Sequence, residues 1–237
     1  MTSSPLAILG FGFVLGLRHA LDVDHLAAVS TLVSQRGGLL RSSLIGAVWG
    51  LGHTAALLAA GIVVIALDGE IPPAVAQALE LGVAIMLVGL GLNLLWALGQ
   101  GGTIHLHGHE HGGRHHVHPH RHARDESPDH VQHHPLMVRR PFLVGLVHGL
   151  AGSTALMLAV LATIPSPGVA LAYILVFGVG SIGGMMLMST ILGLPLALAR
   201  EHFVRAELTL RALAGLGSVA IGLVLAWRIG VESGFLT

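Results

Sequence analysis

Arg18-His19-Ala20-Leu21-Asp22-Val23-Asp24-His25 places one Arg, two Asp and two His inside eight residues of an otherwise apolar stretch. Leu6 to Leu17 precedes it without a charge, and Leu26 to Val33 follows without one. On the membrane-insertion scale an Asp or Arg at a helix centre costs roughly 2.5–3.5 kcal/mol, so such a cluster marks a functional site. Its mixture of imidazole and carboxylate is the donor set of a transition-metal ion.

The surrounding composition says what kind of protein carries it. The chain has 237 residues, 53% hydrophobic and 10% charged, against about 25% charged in soluble domains. It is expected to be an all-α integral membrane protein. The formal net charge is zero, which points away from a nucleic-acid partner and leaves the lipid bilayer as the surrounding medium. The absence of Cys excludes disulfides, thiolate zinc sites and iron–sulfur ligation. The N-terminus lacks a basic region before its first apolar segment, so that segment is expected to be a retained membrane helix.

Six apolar spans can be drawn, at about 5–34, 40–67, 74–98, 140–163, 168–199 and 207–229. Each is near or above the roughly 20 residues that cross a bilayer. Glycine recurs in them at small-xxx-small spacing, as Gly12 and Gly16, Gly46 and Gly50, and Gly180 and Gly184, which allows close helix approach in lipid. Arg residues gather in the 1–2, 3–4 and 5–6 connections, and the other two connections have none. That distribution puts the first set in the cytoplasm and both termini outside, in the cell or inner membrane.

Three segments of the first half return in the second. Leu15-Gly16-Leu17-Arg18-His19-Ala20 is similar to Val144-Gly145-Leu146-Val147-His148-Gly149, 129 residues on. Trp49-Gly50-Leu51-Gly52 pairs with Phe177-Gly178-Val179-Gly180 at 128, and Gly91 to Trp96 pairs with Gly222 to Trp227 at 131. Duplication of a three-helix unit inverts the second copy, giving two inverted three-helix repeats, an architecture of secondary transporters with a midplane site. The organisation expected is a first repeat over 1–100, a His-rich cytoplasmic loop over 101–138 and a second repeat over 139–237.

On this topology His19, His53 and His148 fall in the central third of the bilayer, at about 1.5 Å of rise per residue. His19, Asp22 and His25 share one face of a continuous helix, whereas Asp24 points elsewhere. The candidate metal ligands are His19, Asp22, Asp24, His25, His53 and His148, with either Asp able instead to orient an imidazole. The tract from His105 to His134 holds twelve of the seventeen His and is expected to be disordered. His105, His107, His109, His111, His115, His116, His118, His120 and His122 form an auxiliary, loose site for divalent metal. Met157, Met185, Met186 and Met188 read as apolar filler rather than as copper ligands. No metalloprotease helix, nucleophile elbow, phosphate loop or dinucleotide fingerprint occurs, so an enzyme is not expected.

His19, Asp24 and His25, spaced as His, four residues, Asp, His, resemble the signature of the nickel/cobalt transporter family (NiCoT, within the NicO superfamily). Leu51-Gly52-His53-Thr54 resembles its second motif. The second-half stretches lack the acidic residues of that family, and six spans rather than about eight make the chain resemble a shorter branch with a His-rich loop. The resemblance implies transport of Ni²⁺ or Co²⁺ as cargo, without a bound cofactor. Uptake is the favoured direction and efflux the alternative; a membrane metal sensor or store is the alternative of another class. A homo-oligomer and a cytoplasmic metallochaperone are compatible partners. The resemblance selects Asp24 where the helical wheel selects Asp22, and both serve only if the first span is bent.

Overall fold

The computed structural model describes residues 5–35, 38–67, 72–100, 104–111, 114–121, 136–150, 164 and 166–232. Among the described residues the fold is carried by seven helices: α1 (Pro5–His19), α2 (Val23–Ser34), α3 (Leu39–Leu67), α4 (Pro73–Gly99), α5 (Leu136–Gly149), α6 (Pro167–His202) and α7 (Val204–Trp227), which ends in a π-turn at Arg228–Glu232. Pro73 and Pro167 open α4 and α6, where a fixed φ and a missing N–H cost a helix nothing. Helices α3, α4, α6 and α7 are each long and apolar enough to cross a bilayer, which makes this a multi-pass membrane protein.

The first expected span, 5–34, is not one helix. It breaks at Ala20–Asp22, and α1 and α2 meet at a bend of 57°. Leu21 N–H and Asp22 N–H donate to the carbonyls of Arg18 and His19 and close α1. Asp22 is then extended (φ −61°, ψ 144°) at the start of α2. An Asp there ordinarily caps the helix. Here its carboxylate makes no cap and is taken by His19, while the Asp24 carboxylate accepts from the next backbone N–H, that of His25, at 3.0 Å. Short polar side chains that bind locally compete with the helical ladder, and two within three residues redirect the chain. Of the expected span 140–163, α5 covers the first part; residues 151–163 lie outside those described.

Helix α1 packs on α6, α5 on α3, α3 on α6 and α4 on α7. Glycines bring backbone against backbone in these pairs. A Cβ at Gly16 would strike the carbonyl of Phe177, and one at Gly145 that of Trp49. Gly52 lies on the carbonyl of Phe142 and Gly180 on that of Phe13; Gly91 faces Gly215 and Gly222 faces Ala84. All six glycines singled out by small-xxx-small spacing press on a facing helix, Gly12 against the Tyr173 ring and the other five close to backbone. The apolar core has two parts. One, with Val29, Leu32, Trp49, Leu87 and Met185, sits among α2, α3, α4 and α6; the other, with Leu57, Tyr173, Ile174 and Phe177, lies between α3 and α6.

The His-rich tract contains paired backbone where disorder is expected. β1 (Ile104–His111) runs antiparallel to β2 (Arg114–Arg121), with Ile104 opposite Arg121 and His111 opposite Arg114. His at every second position from 105 to 111 is the period of a strand, which composition alone conceals.

Candidate metal centre

Four buried imidazoles meet between the two parts of the core. His19 ends α1, His25 lies in the first turn of α2, His53 sits midway along α3, and His148 lies at the end of α5. The break at Ala20–Asp22 lets His19 and His25 turn toward each other, with ring centroids 4.3 Å apart. His25 lies 4.2 Å from His148 and 5.2 Å from His53 by the same measure. Trp49 lies 5.8 Å from His148, and Phe177 5.7 Å from His19. One aromatic ring thus walls each side of the cluster.

The carboxylates occupy the outer nitrogens. His19 Nδ1 lies 2.7 Å from Asp22 Oδ2, and His25 Nδ1 lies 3.2 Å from Asp24 Oδ1. With Nδ1–H donating to a carboxylate, each ring carries its lone pair on Nε2. His19 Nε2 then lies 3.2 Å from His53 Nε2, and His25 Nε2 is buried without a hydrogen-bond partner. The other oxygen of Asp24 accepts from His148 Nε2 at 2.9 Å. Nδ1 of His53 and of His148 are also buried and unpartnered. Buried polar atoms left unpaired are costly, and these three rings each keep one nitrogen that no other protein group engages.

Among the described residues, two sets of donor atoms are close enough to hold an ion. His19, His25 and His53 offer one atom each within 4.8 Å of one another, and Asp24, His25 and His148 do the same. Imidazole with carboxylate and without thiolate suits nickel, cobalt, zinc or copper. Asp22 and Asp24 supply two negative charges, which balance a divalent cation.

All six residues picked from the sequence come together here. The competition between Asp22 and Asp24 ends in a division of labour: Asp22 holds one imidazole, and Asp24 holds two. Of the auxiliary residues, His105, His107, His109 and His111 lie on β1 and His115, His116, His118 and His120 on β2, whereas His122 lies outside the described residues. Met185 is buried in the core as filler, and Met157 lies outside the described residues. Trp49 and Phe177 were not singled out as site residues; their matching places in the two halves were the signal.

No family model matches the chain, and no solved structure matches it. A relative 35% identical over 229 residues, spanning 97% of this chain and 94% of its own length, is the urease accessory protein UreH of Bacillus sp. (strain TB-90). The chain belongs to the UreH family. The match runs nearly end to end, so the likeness extends over both halves of the chain. The relative is named for an accessory role, and the UreH-family chain is likewise not an enzyme.

Proposed function

We propose that this protein carries divalent nickel or cobalt across the membrane by alternating access, with the His/Asp cluster as the ion's resting place near the bilayer midplane. The observation that carries the reading is the convergence of His19, His25 and His53, with two of the three rings oriented by a carboxylate. The kinship with a urease accessory protein supports it, because urease is a nickel enzyme. The His, four residues, Asp, His spacing of the nickel/cobalt transporters supports it as well.

The scaffold is read as two inverted three-helix repeats, α1–α2 with α3 and α4, and α5 with α6 and α7. Its support is that the glycine contacts recur at the spacing of the sequence repeats: Gly16 on Phe177 and Gly145 on Trp49, Gly52 on Phe142 and Gly180 on Phe13, Gly91 on Gly215 and Gly222 on Ala84. Rocking one unit against the other exposes a site at their junction to each side in turn. Both termini lie outside and the His-rich ribbon inside. In the ribbon's register His105, His107 and His109 stand opposite His120, His118 and His116, and the tract is read as a loose auxiliary site for divalent metal. Uptake is the direction proposed, since the Asp22-Val23-Asp24-His25 wording resembles that of importers.

Radioactive nickel flux in sealed vesicles, measured in both directions, tests the reading. Saturable flux is expected, and His19→Ala and His25→Ala should each abolish it. Undiminished flux in both variants rules the site out; flux outward alone makes the protein an exporter.

A further inference from the structure

We infer that the cluster contains two successive ion positions that share His25, and that the ion crosses the protein by being handed from one to the other through that ring. The inference rests on the transport reading above. One position is formed by His19, His25 and His53, the other by Asp24, His25 and His148, and His25 alone belongs to both. It is also central in space. Its ring centroid lies 4.3 Å from that of His19 and 4.2 Å from that of His148, whereas His53 and His148 are 6.4 Å apart.

The two nitrogens of His25 face different surroundings. Nδ1 points to Asp24, whose second oxygen already holds His148. Nε2 is buried and unpartnered, left for the position where the Nε2 atoms of His19 and His53 approach to 3.2 Å. A neutral imidazole ligates through one nitrogen and carries its proton on the other. With the ion on Nε2, Nδ1–H donates to Asp24. With the ion on Nδ1, the single proton sits on Nε2 instead, so the ring stays neutral and the proton count is unchanged. Both positions cannot be filled through one neutral His25, and the sites are therefore occupied in turn.

They also differ in kind. The first offers three neutral nitrogens, all from residues before position 60. The second adds a carboxylate oxygen and draws His148 from beyond the His-rich tract. Moving between them takes the ion from ligands of one half to ligands that join the halves.

The test uses the full-length protein in nanodiscs with nickel alone, reading stoichiometry by equilibrium binding and donor atoms by X-ray absorption, with vesicle flux in parallel. His53→Ala should still bind one nickel, with a carboxylate oxygen in its shell. His148→Ala should still bind one nickel, in a shell of imidazoles. Both should lose flux by about tenfold or more, and His25→Ala should lose the bound ion altogether. His53→Gln and His148→Gln repeat the comparison should an alanine variant aggregate. A single compound site, with His53 and His148 variants losing the ion as fully as His25→Ala, overturns the proposal, as does wild-type flux in either. Wild-type protein that shows both nickel environments but moves no nickel overturns the transport reading and leaves the two positions standing.

Discussion

The two halves of the molecule are built on the same contacts and loaded with different chemistry. Gly16 meets Phe177 as Gly145 meets Trp49, and Phe177 lies on His19 as Trp49 lies on His148. Yet the position of His53 in the first half is Ser181 in the second, and the places of Asp24 and His25 are taken by Ser153 and Thr154. Backbone-to-backbone packing tolerates only glycine, so it constrains both halves alike. Ligation needs only one set of donors, and five of the six candidate ligands lie in the first half. Close packing of helices and capture of an ion are thus separable demands, the first met in both halves and the second mainly in one.

Outside the imidazoles themselves, the largest effect should come from Asp24, which holds one imidazole of each half. Asp24→Ala removes the partner of two imidazoles and should weaken nickel binding about 100-fold, close to 2.7 kcal/mol, in a chelator-competition titration. A loss no larger than that of Asp22→Ala would break the asymmetry. Gly16→Val and Gly145→Val come next: each forces a side chain into a facing carbonyl and should cost about 2 kcal/mol, and thermal unfolding should show the two losses to be alike. Unequal losses would mean that the frame is not shared. Asp22→Ala, which frees one imidazole, should weaken binding about tenfold, near 1.4 kcal/mol. Smallest, Trp49→Leu and Phe177→Leu should each remove about 1 kcal/mol of ring contact, read as a few-fold loss of affinity, matched between the halves. Across all variants that still bind, acidification should weaken binding, because protons compete with the ion for neutral imidazole.

Much of the centre could be read from the chain because its signals are local. Charges in an apolar run stand out, and His19, Asp22, Asp24 and His25 needed no partner to be noticed. Their roles could not be read, because a helical wheel assumes a continuous helix. Once the carboxylates of Asp22 and Asp24 turn to His19 and His25, the 100° step ends at Ala20, and both acids reach the ligand rings from outside. The ribbon at 104–121 was missed for the opposite reason: composition argued disorder while the alternation of His argued a strand. Trp49 and Phe177 looked like ordinary core aromatics, and only the packing of both halves shows what their rings cover.

Asp22 carries a further consequence. Its side chain is 52% exposed at the break in the first span, beside a His19 that is almost wholly covered. An ionised carboxylate does not face hydrocarbon at that depth without a cost of several kcal/mol. Where α1 and α2 cross as one broken span, water must therefore reach Asp22, and the insulating layer is thinner there than the bilayer itself. In the transport reading proposed above, the membrane voltage then falls across a shorter path, on the far side of that water. A dication carried over the whole of that path gains or loses about 4.6 kcal/mol per 100 mV.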